Sequence, residues 1–471
     1  MDNIQIDLAL KCINRTDLSL FLTGKAGTGK TTFLKGLKDT CEKKYVVVAP
    51  TGIAAINAGG VTINSFFQLP PEPYLPDFPE FMTAYDTKDH RKIQRLKWGM
   101  MKALELLVID EISMVRADMM DAISDTLKKA RHSEEPFGGV QLLMIGDIYQ
   151  LPPVVTEREA PYIKSVYKSP FFFSSKAFKD LFIKNKVMAI ELQKVYRQED
   201  QDFIKVLNKF RDNTVDIDAL RTINSRIGQQ DAEAITLCTH NYQATEINDT
   251  QMARLEGKPR IFDARIEGNF PANLFPISDH LMMKVGERVM FIKNQTGDEE
   301  TSYYNGMLGT IEEFIDVADS TTIRVKTDSG RTIEVGRACW QNIKYRHDES
   351  TDDIEQVVDG MFEQYPLKPA WAVTIHKAQG LTFDRVNIDA TKAFAFGQVY
   401  VALSRCRSLH GLTLLSPVKP GSVFTNKFIN AFTRTMPSFD KVTEEVCYQA
   451  GDETSVIAEK VMEAREISWV H

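Results

Sequence analysis

One segment near the start of the chain combines glycines, a lysine and threonines in a pattern that can hold phosphates. Residues 24–31 read GKAGTGKT and match GxxxxGK[ST] in full, between an apolar strand pattern and a helical one. Glycines let backbone N–H groups turn inward around phosphates, Lys30 can reach the outer phosphates, and the Thr31 hydroxyl is a ligand for Mg²⁺. A chance glycine-rich turn is the alternative, and the strand and helix on either side disfavour it. The predicted nucleotide contacts are Gly24, Ala26, Gly27, Thr28, Gly29, Lys30, Thr31 and Thr32.

Two carboxylates follow a later strand pattern. Residues 106–113 read LLVIDEIS, in which four apolar residues predict a buried strand that ends at Asp110 and Glu111. Asp110 is placed to bind the metal ion together with Thr31, and Glu111 is suited to polarise an attacking water molecule. An acidic strand end without a catalytic role is the better interpretation of this segment alone, and its pairing with the phosphate loop reverses that preference. The adjacent carboxylates favour a hydrolase over a small-molecule kinase, which must exclude water.

A third strand pattern ends in a polar loop. Residues 142–153 read LLMIGDIYQLPP. Gln150 could sense the terminal phosphate through hydrogen bonds that are lost after hydrolysis. A single glutamine after a strand is weak evidence, whereas the whole phrase GDxxQLPP is specific.

The elements that must position these residues indicate an α/β fold. Over the first 190 residues, short apolar strands alternate with helical patterns, which is typical of a parallel sheet. The predicted strands are residues 18–23, 45–49, 106–109 and 141–145. A second α/β block spans about residues 190–300 and resumes near Pro366.

The stretch that interrupts the second block has a different pattern. Residues 321–335 alternate apolar and polar side chains around Asp328-Ser329-Gly330, which predicts a hairpin and, with GMLGTIEEFI ahead of it, a small inserted β-barrel. Five prolines at residues 70–79 exclude a helix or an inner strand there, so a rim insertion is predicted instead. The tail reads as helices, with helical spacing at Val456, Ala458, Val461 and Ala464.

These patterns divide the chain into four parts. The first parallel-sheet domain is predicted at residues 1–190, with its rim insertion at about 69–102. The second parallel-sheet domain combines residues 191–302 and 366–416, the inserted barrel takes 303–365, and a C-terminal helical region takes 417–471.

Composition sets further limits on what the chain can do. The 471 residues are 43% hydrophobic and 26% charged, which permits packed cores and excludes wholesale disorder. The net charge of −7 is concentrated in residues 348–363 and 438–471, which we interpret as solvated acidic faces. The remainder is net positive, so a nucleic-acid ligand is not excluded. There is no membrane-span or signal-peptide pattern, and the six cysteines form no CxxC pair, which predicts a cytoplasmic protein without structural zinc.

Several ordered motifs together resemble one known family. They are APTGIAAINAGGVTINSFF at residues 49–67, DAISDTLKKARHSEEPFGGVQLLMIGD at 121–147, IHKAQGLTF at 375–383 and VYVALSRCR at 399–407. With the phosphate loop, they are similar to superfamily-one group B helicases, the group of RecD, and most closely to the PIF (petite integration frequency) family. The resemblance extends at least from Gly24 to Arg407.

The resemblance implies two RecA-like motor domains that clamp ATP and Mg²⁺ between them, an SH3-like inserted barrel, and a rim insertion that acts as a wedge. It implies ATP-driven translocation on single-stranded DNA in the 5′-to-3′ direction with unwinding of duplex DNA. By resemblance, Arg197 and Arg405 are arginine fingers that reach the γ-phosphate, and Gln379 and Gly380 couple that site to DNA. Gln5 matches the family's adenine-reading glutamine.

Contacts to DNA are also implied by the resemblance, across the top of both motor domains. The matching residues are Thr51, Thr62, Asn64 and Phe66 on the first domain and Asn241, His376 and Lys377 on the second. Hydroxyls and amides can bind phosphates, and an aromatic ring can stack on a base. The chain departs from the family at Asn64, where histidine is common, and at Ala378, where serine is usual. The three phenylalanines at 171–173 are expected in the core rather than on DNA.

Three functions are weighed. The first is an ATP-dependent helicase acting on single-stranded and forked or tailed duplex DNA, with G-quadruplexes among the substrates of such families. The second is a DNA-regulated ATPase switch without processive unwinding, and the third is a binding module with a dead ATPase, which intact Lys30, Asp110 and Glu111 disfavour. We expect a monomer at the bacterial nucleoid, without membrane partners. The phosphate loop begins at residue 24, which predicts a bacterial or phage-like core enzyme, or a trimmed form of a longer one.

Overall fold

A computed structural model describes residues 4–85, 87, 97–194, 200–298, 301–318, 320–389, 397–422 and 426–452. Some sequence-based expectations lie outside these residues. They are the arginine finger Arg197, the helical pattern at 456–464 and residues 88–96 of the rim insertion.

The first α/β unit, residues 4–192, is built on six parallel strands in the spatial order β3-β2-β4-β5-β1-β6. The strands are β1 (Ser19–Gly24), β2 (Tyr45–Ala49), β3 (Val61–Thr62), β4 (Leu106–Ile109), β5 (Gln141–Ile145) and β6 (Val187–Leu192). Three predicted strands are confirmed residue for residue, and the first is shifted by one. The predicted α/β fold class is confirmed as well.

Helices cover both faces of this sheet, which is why its strands are almost continuously apolar. The helices of this unit are α1 (Ile4–Arg15), α2 (Lys30–Thr40), α3 (Gly52–Ala58), α4 (Ile63–Phe67), α5 (Pro79–Met82), α6 (Trp98–Ala103), α7 (Ala117–Arg131), α8 (Ala160–Tyr167) and α9 (Lys176–Ile183). The three phenylalanines at 171–173 are buried in the core, as expected.

The strand order brings three motif segments together. Strands β4, β5 and β1 are neighbours, and the carboxyl ends of parallel strands lie at one edge of a sheet. Gly24 ends β1, Asp110 follows β4, and Asp147 follows β5. The phosphate loop, the two carboxylates and the GDxxQLPP loop therefore share this edge.

The second α/β unit, residues 200–254 and 372–414, has four parallel strands in the order β18-β7-β19-β20. Before the interruption it contains α10 (Gln201–Asp212), α11 (Ile217–Asn224), β7 (Ile235–Cys238) and α12 (Asn241–Arg254). After the interruption it contains β18 (Ala372–Thr374), β19 (Val386–Ile388), α13 (Gln398–Leu403) and β20 (Leu412–Leu414). The two segments share one apolar core, so they fold as one unit.

The inserted β unit, residues 260–369, is antiparallel. Its strands are β8 (Arg260–Asp263), β9 (Arg265–Gly268), β10 (His280–Met283), β11 (Arg288–Phe291), β12 (Leu308–Val317), β13 (Ser320–Thr327), β14 (Thr332–Val335), β15 (Ala338–Asp348), β16 (Asp353–Gln364) and β17 (Leu367–Pro369). The predicted hairpin is confirmed, with Ile323 opposite Val335 and Val325 opposite Ile333. The first antiparallel strand is β8, at Arg260, ahead of the predicted start of the barrel at residue 303. The four-residue strands β8 and β9 are too short and polar to show an apolar alternation.

The β15–β16 hairpin reaches back to the first α/β unit. The buried Tyr345 hydroxyl accepts a hydrogen bond from the N–H of Val47 at 3.0 Å, which satisfies a backbone donor of β2. In the turn of the hairpin, Asp352 accepts a hydrogen bond from Lys44 at 3.1 Å. Lys44 precedes β2, whereas Thr51 follows it, so this acidic turn lies at the amino end of the strand and away from the phosphate-loop edge.

The chain ends, within the described residues, in α14 (Lys427–Thr435) and α15 (Phe439–Gln449). Both pack on the first α/β unit. The Phe432 ring stacks on Phe173 with centroids 4.2 Å apart, and Val442 and Val446 are buried in the core that includes α1. None of the helices in the described ranges is long and apolar enough to cross a membrane. All six cysteines are free thiols there.

Candidate active site

The phosphate loop closes around the Lys30 ammonium. Lys30 donates hydrogen bonds to the carbonyl oxygens of Gly24 at 2.6 Å and Lys25 at 3.0 Å. Gly27 and Gly29 have φ values of 81° and 90°, a region that glycine enters at little cost. Helix α2 begins at Lys30, so its N–H groups and its dipole face the same space, which favours a bound phosphate.

The remaining loop residues surround that space. Ala26 and Thr28 are buried, and the Thr28 hydroxyl donates to the Lys25 carbonyl at 2.9 Å. Thr31 and Thr32 are exposed in the first turn of α2. The predicted loop is thus formed, with the Thr31 hydroxyl accessible to a ligand.

Glu111 has an unusual backbone and an unusual charge environment. Its φ of 50° and ψ of 44° lie in the left-handed region, which non-glycine residues seldom adopt outside constrained sites. Burial, followed by the neighbouring Asp110 carboxylate, raises the pKa of Glu111 to about 7. The Lys30 ammonium and the Arg405 guanidinium oppose that rise, so both positive charges act on this carboxylate. Burial also raises the pKa of Asp110.

Two glutamines join the α/β units at this point. The Gln379 amide donates to Glu111 Oε2 at 2.9 Å and to Gln150 Oε1 at 3.1 Å. Gln379 belongs to the loop after β18 in the second unit, whereas Glu111 and Gln150 belong to the first. Gly380, next to it, is exposed and has a φ of 82°. The structure therefore brings the predicted coupling residue into direct contact with two predicted catalytic residues.

Arg405 is 1% exposed and lies just after α13. Its guanidinium donates to the carbonyl oxygens of Val401 at 2.9 Å, Leu381 at 3.2 Å and Ala378 at 3.4 Å. Two of these carbonyls flank Gln379, so Arg405 also holds the loop that carries that glutamine.

Gln5 lies on α1 at the side of this site. It is 9% exposed, and its side-chain carbonyl accepts a hydrogen bond from the N–H of Gln193 at 3.2 Å. Nothing in this geometry singles out an adenine base, so the role implied for Gln5 stays a prediction.

The candidate DNA-binding residues divide into accessible and inaccessible ones. Thr51 and Thr62 cap α3 and α4 by accepting hydrogen bonds from the N–H groups of Ala54 and Ser65. Asn241 begins α12 and, like Lys377, is exposed. His376 is half-buried, and burial, followed by the charge of nearby His240, lowers its pKa.

Two of the first unit's candidates have internal contacts instead. Phe66 is 1% exposed and packs edge-on against Phe67 and Tyr345, at centroid distances of 4.8 Å and 6.0 Å. This corrects the expectation that Phe66 stacks on a base, because its ring is enclosed by the core. The Asn64 amide donates to the carbonyls of Leu69 and Pro70, so it secures the start of the rim insertion.

Sequence reasoning missed three residues at the junction of the α/β units. They are Asp147, Arg211 and Tyr400. Asp147 and Tyr400 belong to the motifs GDxxQLPP and VYVALSRCR. Membership of these motifs was a signal for both residues, although the chemistry of an isolated aspartate or tyrosine did not indicate a role. Arg211 lies in the last turn of α10, in a stretch that matches no motif.

Comparison with known proteins shows the family to which this chain is related. The model of the PIF1-like helicase family matches residues 5–220. The chain is 30% identical over 507 residues to the ATP-dependent DNA helicase Pif1 of Psychrobacter, which covers 95% of the chain and 74% of that protein. The chain belongs to the PIF1-like helicase family. The resemblance to the PIF family is thereby confirmed. The human PIF1 helicase is 33% identical to this PIF1-like chain over 409 residues. The match includes 84% of this chain but only 58% of the human protein.

Solved structures of the PIF1-like family agree as well. Bacteroides Pif1 in complex with ADP-AlF4 is 39% identical and superposes with a TM-score of 0.81, covering 91% of this chain and 96% of that one. The same Bacteroides protein bound to single-stranded DNA gives a TM-score of 0.61 at the same coverage of this chain. Unliganded Bacteroides Pif1 gives a TM-score of 0.78, so the PIF1-like chain also resembles a structure without a bound nucleotide.

Proposed function

We propose that the chain is an ATP-dependent DNA helicase that moves 5′-to-3′ on single-stranded DNA and unwinds duplex DNA. The observation that carries this proposal is the Gln379 contact, which links Glu111 and Gln150 beside the phosphate loop to the second α/β unit. In a motor, ATP binding and hydrolysis must change the position of one unit relative to the other. These hydrogen bonds connect the nucleotide site to the second unit and can transmit such a change.

In this proposal the phosphate loop binds ATP and Mg²⁺. Backbone N–H groups at the start of α2 and the Lys30 ammonium hold the phosphates. The Thr31 hydroxyl and the Asp110 carboxylate would hold Mg²⁺, which prefers oxygen ligands. The partly buried Asp110 fits that role, because desolvation penalises its negative charge and a cation would offset the penalty. When bound, the ion would neutralise part of the negative charge of the phosphates.

Glu111 is the proposed base that orients water, and Gln150 the proposed contact to the terminal phosphate. Arg405 and Arg197 are the proposed arginine fingers, which stabilise charge that develops during phosphoryl transfer. Arg405 donates to the carbonyls of Ala378 and Leu381 around Gln379, and Gln379 contacts Glu111, which supports a place for Arg405 near the reacting atoms.

DNA is proposed to lie across the accessible polar residues of the two units. Thr51, Thr62, Asn241 and Lys377 support this proposal, because hydroxyl, amide and ammonium groups can bind phosphates without reading sequence. The Bacteroides relative solved with single-stranded DNA favours such a partner. Forked or tailed duplexes and G-quadruplexes are further proposed substrates, and action as a monomer at the bacterial nucleoid belongs to the same proposal.

The second candidate is the DNA-regulated ATPase switch, which an assay of duplex unwinding separates from the helicase. ATP turnover tests whether DNA acts on the nucleotide site. For the helicase, we expect ATP turnover to rise at least about tenfold when single-stranded DNA is added. Glu111→Gln is the control, since it should still bind ATP while turnover falls with and without DNA. ATP turnover that does not respond to DNA would contradict the helicase proposal, and loss of ATP binding in Glu111→Gln would make Glu111 a structural residue.

A further inference from the structure

A buried carboxylate lies at the junction of the two α/β units. Asp147 follows β5 of the first unit and is 1% exposed. Its own loop supplies two hydrogen bonds, from the N–H of Tyr149 at 3.2 Å and from the Gln150 amide at 3.4 Å. Burying a charge is costly unless it is paired, so a further partner is expected.

That partner comes from the second unit. Arg211, near the end of α10, is 6% exposed, and its Nε lies 3.3 Å from Asp147 Oδ1 and 3.4 Å from Oδ2. The same guanidinium pairs with Glu191 of β6 at 2.9 Å and lies over the Tyr149 ring at 4.6 Å. One side chain of the second unit thus contacts the end of β6 and the GDxxQLPP loop of the first.

A second residue of the second unit completes the contact. Tyr400 lies on α13, which packs against α10, and its hydroxyl donates to Asp147 Oδ2 at 3.4 Å. The same hydroxyl accepts a hydrogen bond from the N–H of Ala26 in the phosphate loop at 3.3 Å. The phenol is therefore a direct link between the phosphate loop and Asp147.

These contacts determine which way the Gln150 amide points. An ionised carboxylate only accepts hydrogen bonds, so Asp147 holds the Gln150 NH₂ group on its own side. Gln150 Oε1 is then directed to Gln379, which also contacts Glu111. A continuous path of hydrogen bonds thus runs from Ala26 through Tyr400, Asp147, Gln150 and Gln379 to Glu111, and it crosses between the units repeatedly.

We propose that Asp147, Arg211 and Tyr400 are positioning residues that couple the second α/β unit to ATP turnover. Arg211 neutralises Asp147 and holds it in place, Asp147 orients Gln150, and Tyr400 ties this arrangement to the phosphate loop. A shift of α10 and α13 relative to the first unit would change all of these contacts together. The inference rests on the proposed function, because it assumes that DNA bound to both units stimulates turnover.

The test is Tyr400→Phe, which keeps the buried ring and removes only the hydroxyl. We expect the stimulation of ATP turnover by single-stranded DNA to fall about five- to tenfold, the scale of one lost hydrogen bond in a buried network. Because the Tyr400 hydroxyl also contacts the phosphate loop, the readout is the ratio of turnover with DNA to turnover without DNA, and the melting temperature should change little. Equal loss of turnover with and without DNA, or unchanged stimulation, would overturn the inference.

The matched control is Tyr345→Phe. This tyrosine is also buried and also accepts a backbone N–H hydrogen bond, at 3.0 Å from Val47, but it lies in the inserted β unit's hairpin and has no contact with the path. It should keep the full stimulation by DNA. A loss of stimulation as large as that of Tyr400→Phe would show a general packing effect and contradict the inference.

A double-mutant cycle adds an independent readout. Asp147→Asn and Arg211→Gln should each reduce the stimulation, and the double variant should be little worse than either, because the two residues act through one contact. Additive losses would contradict the inference. If the wild-type chain shows no stimulation by DNA, the proposed function itself fails; if it is stimulated and Tyr400→Phe equals it, only this inference fails.

Discussion

Lys30→Ala is expected to reduce ATP turnover by at least about 10²- to 10³-fold, the scale of removing one preorganised charge-stabilising group. Lys30 lies at the first position of α2, inside the loop formed by Gly24 and Lys25, where its ammonium would meet the outer phosphates. Binding of single-stranded DNA should remain, because the exposed residues proposed to contact DNA lie elsewhere. Steady-state ATP hydrolysis and fluorescence anisotropy of labelled DNA measure the two properties.

The control for this variant is Lys35→Ala. Lys35 is exposed on the same helix, so this change removes one positive charge without altering the loop. It should keep nearly all of the turnover. Retention of more than a small fraction of turnover by Lys30→Ala would contradict the assignment of the phosphate loop.

Arg405→Ala is expected to reduce turnover at saturating DNA by about 10³- to 10⁵-fold, the range for an arginine finger. The KM for ATP should change much less, because the guanidinium acts on charge that grows in the transition state. Arg405 also donates to the carbonyls of Ala378 and Leu381, so Arg405→Ala removes these structural contacts as well. Arg405→Lys is therefore measured as a second variant. Lysine keeps the charge but not the planar fork, so we expect an intermediate loss.

Arg407→Ala is the matched control for Arg405. It lies two residues further, is exposed, and pairs with Asp384 at 2.8 Å. Its turnover should stay close to that of the unaltered chain. An Arg405→Ala variant that folds and turns over ATP at the unaltered rate would exclude the finger role.

Local features of the site could be predicted from the sequence because they depend on local chemistry. The phosphate loop needs glycines followed by Lys30, and the strand before Asp110 needs four apolar residues in a row. The order of the strands then follows from the fold that such motifs share. The place of Gln379 beside Glu111 could be predicted only from the family resemblance, because no local pattern around Gln379 indicates it.

Other features could not be predicted, because they depend on residues far apart in the sequence. Arg211 becomes significant only when α10 is placed against Asp147, 64 positions away. Phe66 is aromatic and could stack on a base, and the sequence does not show that Tyr345 of the inserted β unit packs against its ring. The antiparallel strands also begin earlier than expected, at β8, because the short strands β8 and β9 have no apolar alternation.

The most direct test of the central claim is unwinding of matched duplexes that carry a single-stranded tail on either the 5′ or the 3′ side. With ATP and Mg²⁺, the chain should open the 5′-tailed duplex efficiently and the 3′-tailed one poorly, and neither should open without ATP or with Lys30→Ala. Efficient opening of the 3′-tailed duplex would contradict the proposed direction. Rapid ATP turnover with DNA but no opening of either duplex would contradict the helicase proposal and favour the switch.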